Sequence, residues 1–287
     1  MIIVILIVCG LALGSFVNAL VWRLNIQSTA DKTSISSNNH KVQAQPNHDR
    51  YSILTGRSMC PNCHHELAVE DLIPVLSWIL LRGRCRYCGK AIAWQYPIVE
   101  LLVMILFIVS YIWWPLGFSH IGVFSFVIWL IFLTAFVALA VYDLRWFLLP
   151  DRIVYPLIGL AVFELIVKAT YFGGGWSIVT QAFWGVVFLA GIFYLLYIVS
   201  KGAWIGFGDV KLAIVLGLIV GGPLSSLLII FIASSLGSVV VLPMLIRGSA
   251  KITTQIPFGP FLLGATLIVV LFGNHITDWY NNLFYLH

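Results

Sequence analysis

The chain has 287 residues, of which 61% are hydrophobic and only 9% charged, whereas an ordinary soluble domain has about 45–50% apolar and about 25% charged residues. That balance excludes a soluble globular enzyme. The formal charge of +5, from 16 Lys and Arg against 11 Asp and Glu, matters less than where the cations sit, because basic loops stay on the cytoplasmic side of a membrane; nucleic acid is not an expected partner.

Apolar runs long enough to cross about 30 Å of hydrocarbon recur along the chain. The first occupies residues 1–24 and carries Cys9, expected to serve packing alone. No basic segment precedes this run and no small-residue cleavage site follows it, so a retained first span is expected rather than a removable signal peptide.

Residues 25–96 form the one long polar interruption, with 8 of the 16 Lys and Arg, and are expected to face the cytoplasm. Residues 25–50 are rich in Ser, Asn, Gln and His, cannot bury enough apolar surface to offset their ordering entropy, and are expected to be a disordered linker. A small module follows over about 57–90. Its CPNC motif (Cys60, Cys63) precedes its CRYC motif (Cys85, Cys88) by twenty-one intervening residues. Two residues between cysteines let a tight turn aim both sulfurs at one ion, so the quartet has close to the spacing of a tetrahedral Cys₄ zinc site. Cytoplasmic thiols are kept reduced, which argues against two disulfides. Four thiolates also close the coordination shell, so the spacing favours a structural zinc over one that does chemistry.

Residues 97–287 are expected to hold seven further apolar segments, at about 98–114, 121–142, 153–172, 178–199, 210–222, 224–246 and 258–273. The expected fold is therefore an all-α polytopic membrane protein with about eight transmembrane helices and a cytoplasmic zinc-binding loop. The boundary at Gly221, Gly222 and Pro223 is the least distinct. With the long loop inside, Arg145, Arg152, Lys201, Lys211, Arg247 and Lys251 also fall inside, and of the cations only Lys168 falls outside. Both termini are then expected outside.

Five of the 11 acids lie in the polar loop; the others are Glu100, Asp143, Asp151, Glu164, Asp209 and Asp278. An ionisable group at or within an apolar span is costly and is a functional candidate. Asp143 ends the third span and Asp209 opens the sixth, so both fall at the cytoplasmic face. Two carboxylates that meet there could share one proton and activate a water, as in aspartic proteases. Asp143 could instead pair with Arg145, and Asp209 could cap its helix or pair with Lys211. Asp151, just after Pro150, reads best as a helix N-cap, although its position alone does not separate it from Asp143 as one of the pair.

The combination resembles the type IV prepilin peptidases, polytopic aspartic endopeptidases whose bacterial members are usually also N-methyltransferases. The resemblance is carried by GSFVNALVWR (14–23), the two Cys pairs, DLIPVLSWILLRGRC (71–85), YPIVE (96–100), DLRWFLLPD (143–151), GFGDVKL (206–212) and PFGPFL (257–262). It implies that Asp143 and Asp209 are the catalytic pair, with Asp151 outside it. It also implies prepilins or pseudopilins as substrates, whose short basic leader is cut off after a glycine at the cytoplasmic face of a bacterial inner membrane. The new N-terminal residue, usually phenylalanine, would then be methylated with S-adenosylmethionine as donor. No phosphate loop or Rossmann-like fingerprint locates that donor's site. A peptidase without methylation is the nearer alternative, against which the Cys loop stands. A transporter or assembly factor with a zinc docking module is the more distant one.

Overall fold

In the computed structural model, residues 1–36, 56–247 and 256–284 are described, and the side chains of 30–36, 281, 283 and 284 are not. These residues fold as α1 (Ile2–Ser36), a 3-10 turn (Val69–Leu72), α2 (Leu76–Leu80), α3 (Gln95–Ile112), α4 (His120–Trp146), α5 (Asp151–Thr170), α6 (Gly175–Ser200), α7 (Phe207–Val220), α8 (Pro223–Ile246) and α9 (Gly259–Phe284). Among the described residues β pairing is confined to the isolated bridges Met59↔Glu66 and Arg84↔Ala91, so the expected all-α class holds. The chain divides into two compact units, 1–109 and 110–287.

In the first unit, α1 lies against α3 through two glycines. A Cβ on Gly10 would stand 2.6 Å from Met104 Cα, and one on Gly14 would stand 2.5 Å from Glu100 Cα. Such close backbone approach replaces hydrophobic driving force inside a bilayer, where lipid is as apolar as the side chains. One turn beyond Gly14, the buried Asn18 amide donates to the carbonyls of Gly14 and Tyr96. The helix does not end near residue 24. It continues to Ser36, through nearly half of the stretch whose composition predicts a linker. Extending an existing helix costs far less than starting one, and the Ser28 and Thr29 hydroxyls turn back onto the Asn25 carbonyl. The rest of the expected linker, residues 37–50, lies outside the described residues.

The second unit is built around α7, which packs against α5, α6 and α9. Leu212, Ala213, Val215 and Leu216 on it are wholly buried. Among the described residues seven helices, α1, α3, α4, α5, α6, α8 and α9, are long and apolar enough to cross a membrane; the eighth apolar segment expected, at 210–222, is the shorter α7. At 14 residues it is only about 21 Å long. It ends at Gly221 and Gly222, both at positive φ. A short helix with polar ends survives here because neighbouring helices, rather than lipid, surround it.

The α6–α7 contact is the tightest in this unit. A Cβ on Gly217 would come within 2.8 Å of the Gly185 and Val186 backbone, and one on Gly185 within 2.4 Å of the Gly217 carbonyl. Ser226 Oγ of α8 adds a buried hydrogen bond to the Gly185 carbonyl at 3.0 Å. Gly217→Ala therefore forces α6 and α7 apart, at a cost of about 1–3 kcal/mol for overpacking. The expected result is a lower midpoint of thermal unfolding in detergent, with metal content unchanged.

Candidate functional site

The sequence places carboxylates at the ends of α4 and α7, and the fold brings them together. Asp143 lies one turn before the end of α4. Phe147, in the left-handed conformation, stops that helix with its N–H bonded to the Asp143 carbonyl at 2.8 Å. The Asp143 side chain is 5% exposed, and its Oδ2 accepts the Gly259 N–H at 3.1 Å. Gly259 opens α9, so the carboxylate sits on the positive end of that helix. A Cβ at Gly259 would stand 2.6 Å from the same oxygen, so only glycine permits this approach.

Asp209 lies in the first turn of α7, whose N-cap is Gly206, so its carboxylate is near the positive end of that helix. Gly208 and Gly259, at the starts of α7 and α9, both face Leu149. The two carboxylates are close enough for the charge of Asp143 to act directly on Asp209.

The simpler roles weighed for these residues are mostly not the ones observed. Among the described residues no ion pair joins Asp143 to Arg145, whose guanidinium lies 5.8 Å from the Trp146 ring centroid. Lys211 pairs with Asp151 of α5 rather than with Asp209, and its ammonium lies 5.5 Å from the ring centroids of both Tyr155 and Phe207. Asp151 is not the N-cap; Pro150 holds that position and Asp151 is the first helical residue. Its partner is sixty residues away, which no local pattern reveals. Glu164 pairs with Lys168 on its own helix at 2.6 Å. Both line a cavity of about 90 Å³ with Gln181 and the end of α7.

In the first unit, Cys60, Cys63, Cys85 and Cys88 converge, with all four sulfurs within 4.8 Å of one another and the Cys60 and Cys88 sulfurs 4.0 Å apart. A tetrahedral thiolate site with metal–sulfur bonds of about 2.3 Å needs sulfurs about 3.8 Å apart, so the cluster could hold a metal ion. Both knuckles are built alike. The Cys60 N–H donates to His65 O at 3.0 Å and its carbonyl accepts His64 N–H at 2.9 Å; Cys85 does the same with Lys90 at 2.8 Å and Gly89 at 2.9 Å. The fourth residue after each leading cysteine, His64 or Gly89, takes the left-handed turn. Burial raises the Cys60 thiol, but the backbone N–H groups of Cys63 and Asn62 and the neighbouring thiols outweigh it and draw it down to about 7. Backbone contact with Lys90 lowers the Cys88 thiol, but burial and the other three thiols raise it to about 11. Four sulfurs this close cannot all ionise unless a dication compensates them.

Glu100, an acid at the edge of the second span and so a candidate anchor of that span to the loop, takes that role. It is buried, and its Oε2 accepts the N–H of Val75 at 2.7 Å. Val75 is the N-cap of α2 and has a φ of 61°. Glu100 thereby ties the start of α2 to α3, a link for which the only sequence signal was an acid at the edge of an apolar run.

Residues 8–114 match the Bacterial Peptidase A24 N-terminal domain and residues 130–242 the Type IV leader peptidase family. The chain is 33% identical over 279 residues to the "Prepilin leader peptidase/N-methyltransferase" of Stutzerimonas stutzeri, covering 96% of this chain and 92% of that one. It is 32% identical to the protein of the same name from Pseudomonas aeruginosa, covering 96% and 91%. It is also 32% identical to the "Type 4 prepilin-like proteins leader peptide-processing enzyme" of Escherichia coli, covering 91% of each. No solved structure matches the chain.

Proposed function

Since the chain belongs to the type IV leader peptidase family, we propose that it is a multi-pass membrane endopeptidase that removes the basic leader from prepilins or pseudopilins and methylates the N-terminus it exposes. The observation that carries this reading is the meeting of Asp143 and Asp209 at the starts of α9 and α7. Two adjacent carboxylates hold one proton between them because like charges in contact resist ionising together. The ionised one takes a proton from water, and the resulting oxygen nucleophile attacks the scissile carbonyl while the protonated partner donates to the carbonyl oxygen. Collapse of the tetrahedral intermediate returns a proton to the leaving nitrogen, which yields a new carboxyl and a new amine. Helix dipoles and the Gly259 N–H group hold the acids in place.

Sidedness follows from charge. The loop of 25–96 and all cations but Lys168 face the cytoplasm, in the inner membrane of a bacterium. A substrate whose basic leader stays inside then presents its scissile bond at the carboxylates, after a glycine. Zinc is the metal proposed for Cys60, Cys63, Cys85 and Cys88, as a structural staple. S-adenosylmethionine is the proposed methyl donor, and it supplies an electrophilic methyl group to the freed amine. No residue is assigned to hold it.

The test is mass spectrometry of a prepilin-like substrate incubated with the purified full chain and S-adenosylmethionine. The expected product has lost its leader and gained one methyl group. Cleavage without methyl gain would reduce the protein to a peptidase alone, and failure to cleave several varied prepilins would revive a transport or assembly role.

Asp151 and Lys211 act as positioning residues in this scheme, because their ion pair ties the first turn of α7, two residues from Asp209, to the first turn of α5. Asp151→Asn or Lys211→Gln should slow kcat of cleavage about tenfold, less than the roughly hundredfold that a 1 Å misplacement can cost. The exchange Asp151→Lys with Lys211→Asp should recover most of the loss. No recovery would mean that one of the two charges serves substrate directly.

A further inference from the structure

The cysteine module carries an unusual outer face for a polar loop. On α2, Leu76, Ile79 and Leu80 are spaced to share one side, and they are 49%, 57% and 71% exposed. Trp94, 67% exposed, packs on the other side of this short helix, with its ring 4.2 Å from that of Trp78. Soluble segments rarely leave contiguous large apolar side chains in water. The charges the module leaves unpaired are of one sign. The module's acids are spent on Arg57 and Arg86, through the pairs Arg57–Glu66, Arg86–Glu70 and Arg86–Asp71. Arg82, Arg84 and Lys90 are exposed and form no ion pair among the described residues.

The level of this face is set by two links. Trp94 directly precedes the first residue of α3, a helix apolar enough to span the bilayer. The N-cap of α2, Val75, is held by Glu100, five residues into α3 and thus only about 8 Å along it. The N-terminus of α2 therefore stands beside the end of a membrane helix, where lipid headgroups begin.

We propose that α2 and Trp94 seat the cysteine module on the bilayer itself, with Leu76, Ile79, Leu80 and Trp94 in the headgroup boundary and Arg82, Arg84 and Lys90 against anionic lipid phosphates. Apolar anchors flanked by cations are the composition of interfacial elements, and Trp favours that depth. Each cation at an anionic surface strengthens binding about fivefold. The proposal rests on the membrane spans and the module's geometry, not on the catalytic reading.

The test uses the full chain, metal-loaded, in vesicles that contain a photoactivatable phospholipid, with cross-links mapped by peptide mass spectrometry. Peptides covering Leu76–Leu80 should label as Trp94 and the start of α3 do. Labelling of α2 should fall about fivefold or more when phosphatidylglycerol is replaced by phosphatidylcholine, or when Arg82, Arg84 and Lys90 are all changed to Gln. Leu80→Asp should remove the α2 label while metal content stays at one ion per chain, which shows that the module is still folded. Labelling of α3 without α2 would overturn the proposal, as would α2 labelling indifferent to lipid charge. Protection of α2 from solvent by an added prepilin peptide, without lipid labelling, would assign the face to substrate instead.

Discussion

Asp209→Asn and Asp143→Asn should each lower leader cleavage by at least about a thousandfold, and the double variant should be no worse than either single. General acid–base groups contribute about 10²–10⁴ each, and residues that act as one unit lose their joint effect when any member goes. An amide keeps the size of the side chain, and at position 143 it can still accept the Gly259 N–H, but it can neither take a proton from water nor share one with its partner. Neither variant should unfold, since amide replaces carboxylate without changing volume; insertion and metal content report on that. Single-turnover cleavage followed by mass spectrometry gives the rate. Retained processing in either variant would separate Asp143 from Asp209, and Asp151→Asn, slowed only about tenfold, marks the difference between chemistry and positioning.

Cys60→Ser and Cys85→Ser should each abolish stoichiometric metal binding, and methylation should fall further than cleavage. Structural zinc contributes about 10–16 kcal/mol of apparent binding free energy to small modules at neutral pH, which a segment of this size cannot replace from its core. Loss of one thiolate opens the site and frees the turn at His64 or Gly89. Elemental analysis gives the metal, and hydrogen exchange over 56–94 gives the order of the loop. The dyad belongs to the other compact unit, so cleavage should survive in part. Metal retention should also depend on pH in one direction: the ion needs thiolates, and protons compete for them increasingly as pH falls. Metal content is therefore expected to drop on acidification and to hold on the alkaline side. A serine variant that keeps one zinc per chain would remove the Cys₄ assignment.

The motifs carried chemistry that was legible without a structure, because each is a local pattern. The CPNC and CRYC pairs specify turns that aim two sulfurs each, and the four cysteines do converge. That Asp143, ending one segment, and Asp209, opening another, should fall at one face followed from counting the spans between them. Legibility failed where length and composition were borderline. The segment after Asp209 is as apolar as its neighbours, and only the packing of α5, α6 and α9 around it explains why 14 residues suffice. The polar stretch after Arg23 resembles a linker, but the momentum of a long apolar helix carries order through Ser36.

By itself the sequence determined the all-α membrane class, most of the apolar spans and the residue types available for chemistry, since hydrophobic length and charge are properties of the chain alone. Tertiary structure decided which of those residues meet. Gly259 faces Asp143 across 116 positions, Lys211 finds Asp151 across 60, and Glu100 holds Val75 across 25. Such pairings depend on how closely helix backbones approach, and in this protein that distance is set by glycines at crossings whose partners no local pattern encodes.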